Sequence, residues 1–370
     1  MEGAGVVGRF RKYDFSFFGI STVIFFLGIV NLYSATHASS NPHIVGLYKV
    51  QLIWFAVSLA AGIVTSFIQT KTFFRHAYTF YFLNIFLLIL VLILGDKGMG
   101  AQRWLVMGPI RIQPSELMKI SVVLALARWF CKRNPDKALG IKEMIFPFLI
   151  TLFPALLVII EPDLGTGLLI LLIFFSLAFY RRLKGKTILL VLIIAVISGK
   201  VMYEYGLKEY QKKRIMTFVN PNLDARGSGY NAIQSKIAIG SGKFFGKGFM
   251  KSSQASLKYL PENHTDFVFS IFNEEHGFFG SLFLIGLYLI LFYRFVWLSM
   301  AVTQFFNSII VIGILSIFFW HTFINMGMVM GILPIVGLPL PLMSYGGSSL
   351  LTFAICTGMA TSISNSRNMF

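Results

Sequence analysis

Hydrophobic residues along this chain are grouped into ten long runs separated by more polar stretches. The runs are 15–35, 48–68, 77–95, 115–131, 144–160, 166–180, 187–206, 268–293, 306–331 and 345–365. A helix of about 20 apolar residues spans a bilayer core of roughly 30 Å. Each run must be helical, because lipid offers the backbone N–H and C=O groups no hydrogen-bonding partner. The pattern therefore predicts an all-α integral membrane protein with about ten transmembrane helices.

The composition of the chain agrees with this class. It is 56% hydrophobic and only 13% charged, whereas a soluble domain carries roughly 25% charged residues. The first run exceeds the apolar core of about 7–15 residues in a secretory signal, so we interpret it as a retained helix. Two cysteines and no CxxC, HExxH or Walker motif give no indication of a disulfide framework, metal cluster or nucleotide site. We expect no nucleic-acid partner.

Lysine and arginine in the short loops predict the orientation of the chain. With the N-terminus in the cytoplasm, the inner segments carry sixteen of these residues and the outer short loops carry four, Lys49, Lys97, Arg103 and Arg111. Both termini are then cytoplasmic, and the segment 207–266 is a long outer loop between spans seven and eight. We interpret residues 1–370 as one membrane domain, with this loop facing the substrate.

The outer segment 207–266 is basic, with ten Lys and Arg against four Asp and Glu. It is either a solvated loop near anionic lipid headgroups or a site for an anionic substrate such as a lipid pyrophosphate. Glycines such as Gly242 and Gly246 suit tight turns that can cradle phosphate. Structureless loops of this length are usually functional or disordered. These two features favour a binding site.

Ionisable residues at membrane depth are informative, because a charge in lipid costs a few kcal/mol or more. Glu116 and Lys119 lie three residues apart at the start of span four, so they share a helix face. One interpretation is a buried ion pair in a polar network that faces the bundle interior. The alternative is that Glu116 is a first-turn carboxylate that complements the helix dipole.

Two aspartates stand at the outer ends of spans. Asp163 precedes span six and either caps that helix or belongs to a polar site. Asp266 lies where the outer segment enters span eight. As a cap it would have a low pKa, whereas as a general base in a desolvated cleft it would have a raised pKa. His264 and Thr265 beside it are suited to hydrogen-bond to a sugar.

The outer loop 331–349 contains three prolines, which predict an ordered re-entrant lip rather than a flexible tail. Irregular backbone at this depth is tolerated only where it lines a cavity or is covered by protein. Its small residues, including Ser344 and Ser348, would either approach a ligand headgroup or allow helices to pack closely.

At these residues the chain resembles the SEDS family (shape, elongation, division and sporulation) of bacterial cell-wall polymerases. The matching stretches are GAQRW at 100–104, QPSE at 113–116, EPDLGT at 161–166, NAIQSKIAIGSG at 231–242, HTDFVF at 264–269 and GLPLPLMSYGGSS at 337–349. Within the family, QSKIAIGSG and GILPIVGLPLP are more similar to the elongation branch, RodA, than to the division branch, FtsW.

The resemblance implies a peptidoglycan glycosyltransferase that polymerises lipid II by inverting β-1,4 transfer and releases undecaprenyl pyrophosphate. Asp266 matches the family's essential aspartate and would be the general base. Cationic groups would neutralise the pyrophosphate, and the candidates are Arg103, Lys119, Arg214 and Lys236. The other candidate substrate-binding residues are Glu116, Asp163, Gln234, His264, Thr265, Ser344 and Ser348. A divalent cation, Mg²⁺ or Mn²⁺, could share the task, but no ligand set in the sequence predicts one.

The resemblance also implies a class B penicillin-binding protein, a transpeptidase, as partner, and a place in the bacterial inner membrane with the active site on its outer face. The expected role is cell elongation and rod shape. One alternative is a lipid II flippase, which would need ionisable groups near the bilayer midplane, whereas most acids here cluster at the outer face. The other alternative is a non-catalytic scaffold for the transpeptidase.

Overall fold

The computed structural model describes residues 13–37, 41–98, 101–108, 110–207, 209–224, 227–257, 259–260, 262 and 264–367. Its α-helices are α1 Ser16–Thr36, α2 Pro42–Val45, α3 Leu47–Ser66, α4 Thr70–Leu94, α5 Pro114–Phe130, α6 Ile141–Ile160, α7 Leu164–Tyr180, α8 Gly185–Val201, α9 Glu209–Val219, α10 Ser228–Ser241, α11 Ser253–Ser256, α12 Val268–Ala301, α13 Phe305–Met330 and α14 Gly347–Arg367. The inner basic residues Arg9, Arg11 and Lys12, and Gly100 of the first motif, lie outside the described residues.

The all-α membrane architecture is confirmed, since each predicted apolar run lies on a helix of the described chain. Within the described part of the chain, six helical stretches are long and apolar enough to cross a membrane, by length and composition: Ser16–Thr36, Pro42–Ser66, Thr70–Leu94, Ile141–Ile160, Val268–Ala301 and Phe305–Met330. Two further helices, α5 and α14, are largely buried against other helices, so their polar side chains face protein. The predicted total of ten crossings stays a prediction.

Close helix packing brings the elements of the bundle together. Helix α3 packs along α14, α4 along α5, and α12 along α13. A Cβ on Gly358 of α14 would collide with the carbonyl oxygen of Gly62 in α3, so only glycine allows this approach. Helix α13 is the most enclosed of the long apolar helices, with 72% of its most apolar window buried. It therefore lies against the elements that carry the site.

A small antiparallel sheet, which the hydrophobic pattern did not predict, lies between α4 and α5. It consists of β1 Asp96–Gly98, β2 Ala101–Met107 and β3 Ile110–Ile112, in that order. Leu105 of β2 pairs with Ile112 of β3. The sheet matters because it places Arg103 of β2 beside the turn that joins α6 to α7.

The outer segment 207–266 is largely helical, containing α9, α10, α11 and a 3₁₀ turn at Pro221–Asp224. Its loop 242–251 packs against a break in α12 at Gly277, where φ is 66°. There the broken helix exchanges backbone hydrogen bonds with the loop: Lys247 N donates to Glu274 O at 2.9 Å, and Phe278 N donates to Lys243 O at 2.9 Å. The backbone groups freed by the break are thereby satisfied.

Two glycines in this loop serve close packing. A Cβ on Gly246 would collide with the carbonyl of Glu275, and a Cβ on Gly242 would collide with that of Asn273. This finding gives both glycines a packing role against α12, and the phosphate cradle that the sequence suggested for them stays a prediction.

Candidate active site

Asp266 lies in the turn that precedes α12, and its carboxylate rests against the lip, which in the structure comprises residues 331–346 because α14 begins at Gly347. A Cβ added to Gly337 of the lip would stand 3.1 Å from Oδ2 of Asp266. Helix α12 starts from Phe267 with no side-chain cap, so the capping interpretation of Asp266 is wrong. The side chain is instead half-buried between the turn and the lip.

The backbone of this turn is held at three successive carbonyls. The carbonyl of His264 accepts from Tyr345 N at 2.9 Å, and that of Thr265 accepts from the Ser344 hydroxyl at 2.6 Å. The carbonyl of Asp266 accepts from Asn325 Nδ2 at 2.9 Å. All three donors belong to the lip or to α13, so the lip and the turn form one ordered unit.

Burial raises the pKa of Asp266 to about 6, with Glu262 adding to the rise. Arg214, and less strongly Arg103, act in the opposite direction on this pKa, and Asp163 adds a smaller rise. A carboxylate with this pKa is ionised at neutral pH yet accepts a proton more readily than an ordinary aspartate. The environment therefore suits a general base.

His264 and Thr265 both face Glu262 on the same turn. The Thr265 hydroxyl donates to Glu262 Oε2 at 2.9 Å, and His264 Nε2 lies 4.0 Å from the same oxygen. Burial lowers the pKa of His264, although Glu262 opposes that change. A neutral imidazole beside Asp266 can hydrogen-bond to a sugar hydroxyl without adding charge.

Arg103 binds the turn between α6 and α7. Its Nε donates to the carbonyl of Glu161 at 3.2 Å and an Nη donates to the carbonyl of Pro162. Its other Nη lies 4.0 Å from Oδ2 of Asp163. The guanidinium is about one-third exposed, so part of it remains available to an anionic ligand.

Asp163 both caps a helix and belongs to this polar site. Its Oδ1 accepts from Thr166 N at 3.1 Å, which caps α7. Its Oδ2 accepts from the Thr166 hydroxyl at 3.0 Å and from Gln113 Nε2 at 3.1 Å. Asp163 therefore fulfils both roles that the sequence suggested as alternatives, as a helix cap and as a member of a polar site.

Glu161 is a site residue that the sequence analysis did not single out, although it opens the EPDLGT motif. It is fully buried, and neither carboxylate oxygen has a hydrogen-bond partner among the described residues. Burial, followed by the nearby Asp163, raises its pKa to about 8, while Arg103 opposes the rise. The group is therefore mainly protonated at neutral pH.

A small pocket, open to solvent, lies where the outer segment meets the lip. Its lining residues are Arg214, Thr217, Phe218, Pro221, Ala232, Lys236, Met328, Gly331, Leu333, Pro334 and Ile335. Arg214 also donates to the Ile335 carbonyl at 3.5 Å, and the Lys236 stem lies directly over Gly331. The pocket therefore presents two cations, which suit an anionic group.

Gln234 is on α10 but is not among the residues that line this pocket. It lies two positions before Lys236, so it occupies another face of the helix. Its predicted contact with substrate stays a prediction.

Glu116 and Lys119 form the predicted ion pair, with 2.8 Å between Oε1 and Nζ. Lys119 Nζ also lies 2.7 Å from Nε2 of His321, a partner that the sequence did not indicate. Both members of the pair are buried inside the bundle. Lys119 is therefore separate from the cations that line the pocket, because its ammonium is engaged by Glu116 and His321.

The hydroxyls of Ser344 and Ser348 bond to backbone groups. Ser344 donates to Thr265 O and accepts from Leu340 N at 2.8 Å. Ser348 accepts from Gln113 N and donates to Arg111 O, each at 3.2 Å. In this structure both serines stabilise the lip and its neighbours, and their predicted approach to a headgroup stays a prediction.

Among the described residues, no group of three His, Cys, Asp or Glu side chains is placed to hold a metal ion. The part of the chain that the structure describes thus provides no protein cage for a divalent cation.

Comparison with known proteins adds independent information. A family model described as a cell cycle protein, covering FtsW, RodA and SpoVE, matches residues 15–369. The peptidoglycan glycosyltransferase MrdB of Escherichia coli K12 is 36% identical over 349 residues, which cover 94% of each chain. The peptidoglycan glycosyltransferase RodA of Treponema pallidum is 30% identical over 93% of this chain and 95% of its own.

Solved structures show the same likeness. A chain from a peptidoglycan synthase complex, described as coordinating polymerization and crosslinking, matches with a TM-score of 0.84 and 30% identity over 97% of this chain and 99% of that one. The rod shape determining protein RodA of Thermus thermophilus matches with a TM-score of 0.71 and 29% identity over 96% and 97% of the two chains.

Proposed function

Since the chain belongs to the FtsW, RodA and SpoVE family of cell cycle proteins, we propose that it polymerises lipid II into glycan strands with Asp266 as the general base. The chain is a peptidoglycan glycosyltransferase, the activity for which its relatives at 30% and 36% identity are named. The observation that carries the proposed mechanism is the half-buried carboxylate of Asp266 against Gly337 of the lip, whose pKa burial raises to about 6 while Arg214 and Arg103 oppose the rise.

In the proposed reaction, Asp266 accepts the proton of the acceptor's sugar 4-hydroxyl. The acceptor oxygen forms a bond to the anomeric carbon of the donor while the bond from that carbon to the pyrophosphate oxygen breaks. The pyrophosphate leaves with the electron pair. A single displacement converts the α-linked donor into a β-1,4 product, so one base suffices and no covalent intermediate is needed, by analogy with inverting glycosidases.

Charge that develops on the leaving pyrophosphate needs cations that are already in place. Arg214 and Lys236 line one pocket, and Arg103 lies on the other side, beside Asp163. These three residues are our candidates for binding the pyrophosphate. A divalent cation would add to the neutralisation, but because the described residues offer no metal cage, no step depends on it.

The cellular setting is part of the proposal. The protein is multi-pass, and we place it in the bacterial inner membrane with cytoplasmic termini and the site on the outer face, as the loop charges predict. We assign it a class B penicillin-binding protein as partner and a role in cell elongation. The likeness to a chain of a peptidoglycan synthase complex supports such a partnership.

The direct test is strand formation from purified lipid II by the full chain, alone and with its transpeptidase partner. We expect polymer from wild type and a loss of about 100- to 10,000-fold for Asp266→Asn, the range typical of a general base. Asp136→Asn is a matched control, since Asp136 is exposed on the loop that joins α5 to α6, a full helix away from both Gln113 and Glu161.

Polymer from Asp266→Asn at the wild-type rate would exclude Asp266 as the base. Failure of both proteins to polymerise, even with the partner present, would favour the flippase or scaffold alternative. Movement of labelled lipid II across vesicles that contain wild type would then distinguish a flippase from a scaffold.

A further inference from the structure

We infer that Asn325, supported by His321 one turn earlier on α13, is a positioning residue that sets the distance between the lip and the Asp266 turn. The inference rests on the proposed role of Asp266 as the base. It assigns to α13 a function in the reaction without contact between α13 and the reacting atoms.

Asn325 bridges the two segments on either side of the Asp266 carboxylate. Its Nδ2 donates to the carbonyl of Asp266 at 2.9 Å and to the carbonyl of Leu338 at 2.7 Å. Leu338 follows Gly337, the residue against which the carboxylate rests. One fully buried amide therefore holds both sides of the contact between Asp266 and the lip.

The lip depends on such donors because of its prolines. Pro334, Pro339 and Pro341 have no backbone N–H, so this segment cannot build a regular backbone ladder. Its carbonyls at membrane depth need partners from elsewhere. Side chains supply them: Asn325 to Leu338, His321 to Pro339 at 3.2 Å and Tyr288 to Pro341 at 2.5 Å.

His321 is oriented by the buried ion pair. A carbonyl only accepts, so Nδ1 of His321 must carry the hydrogen that bonds to Pro339 O. Its Nε2 then accepts from the Lys119 ammonium at 2.7 Å, and Lys119 is held by Glu116. His321 and Asn325 are four residues apart and share one face of α13. The ion pair thus supports the lip through His321.

A positioning residue is distinguished from a purely structural residue by the kinetic parameters that its substitution changes. Without the amide of Asn325, the bonds of Ser344 to Thr265 and of Tyr345 to His264 remain, but the Asp266 carbonyl loses its link to Leu338, so this end of the turn can shift and admit water to the Asp266 carboxylate. The alignment of the Asp266 carboxylate with the acceptor hydroxyl then worsens, which lowers kcat. KM for lipid II changes little, because the substitution leaves the side chains of the proposed pyrophosphate-binding cations in place. Loss of burial also moves the pKa of Asp266 down toward its ordinary value, so the acid limb of the pH–rate profile shifts to lower pH.

The experiment compares Asn325→Leu with Asn84→Leu in the full chain, using purified lipid II as substrate. Asn84 is a matched control, since it is also a buried amide that donates twice, to Phe80 O at 3.0 Å and to Ser121 Oγ at 2.8 Å. We expect both variants to lower Tm. Only Asn325→Leu should lower kcat, by about 10- to 100-fold, with KM within about twofold of wild type, and shift the acid limb.

The inference is overturned if Asn325→Leu keeps the wild-type kcat per folded molecule and the wild-type pH profile. If this variant does not fold, Asn325→Ser, which retains a single donor, is measured instead. It must lower kcat while leaving KM nearly unchanged. A wild-type kcat and pH profile for Asn325→Ser overturns the inference equally. Asp266→Asn in the same assay separates the two proposals. If Asp266→Asn is active, Asp266 is not the base, and the proposed mechanism fails. If Asp266→Asn is inactive while Asn325→Leu behaves like wild type, only the positioning role of Asn325 is excluded.

Discussion

The ammonium of Lys119 lies 2.7 Å from Nε2 of His321, so a charge on α5 meets an imidazole on α13 in the interior of the bundle. Glu116, 2.8 Å away on the other side, balances that charge. The three side chains form a chain of hydrogen bonds that ends at the carbonyl of Pro339 in the lip.

Removing one member of this ion pair should cost more than removing both. We expect Glu116→Ala or Lys119→Ala to lower the free energy of unfolding by about 3–5 kcal/mol, because each leaves an uncompensated buried charge. The double variant should be no less stable than either single variant, as thermal unfolding in detergent would measure. Strictly additive losses would argue against direct coupling.

Arg214 should determine the position of the acid limb of the pH–rate profile. This guanidinium lowers the pKa of Asp266, so Arg214→Ala should raise that pKa above 6 and move the acid limb to higher pH, by about one unit at most. Lys213→Ala is the matched control, because Lys213 is 58% exposed and pairs with Asp224 at 3.0 Å. Equal shifts from both variants in a pH–rate measurement would indicate a general charge effect instead.

Glu161 should make the protein less stable as pH rises. Its folded pKa of about 8 exceeds its ordinary value of 4.5, so the folded state binds more protons between these values, and stability falls across that window. Glu161→Gln keeps a neutral group of similar shape and should flatten this dependence, with a Tm several degrees above wild type near pH 8.5. Parallel Tm–pH curves for the two proteins would contradict the protonated state.

Glu274 should control the order of the outer loop that packs on the break in α12. Its buried carboxylate accepts from Lys247 Nζ and Ser252 Oγ at 2.5 Å and from Ser253 Oγ at 2.6 Å. Glu274→Ala should cost about 1–3 kcal/mol, because it leaves the Ser252 and Ser253 hydroxyls without their acceptor, and should increase amide hydrogen exchange in residues 242–256. Glu209→Ala, at a carboxylate whose side chain is 95% exposed, should cost under about 0.5 kcal/mol. Unchanged exchange in Glu274→Ala would exclude this anchoring role.

Local sequence determined the helices and some of the site. Transfer of apolar side chains into lipid depends on the residues of each run alone, so the runs matched helices to within a few residues, apart from the N-terminal end of α4 and the C-terminal end of α12. The pairing of Glu116 with Lys119 followed from a spacing of three on one helix. The turn before α12 was evident as the point where the polar segment meets an apolar run, which placed Asp266 at the outer end of a span.

Tertiary structure decided the contacts that give those residues their chemistry. Lys119 and His321 are 202 residues apart, and Asn325 is 59 residues from Asp266. No periodicity within a helix links such positions. The burial of Glu161, the packing role of Gly246 and the placement of Arg103 by a small sheet likewise depend on neighbours distant in the chain. A pKa or a hydrogen-bond partner is a property of what surrounds a group, and that surrounding forms only when the helices pack.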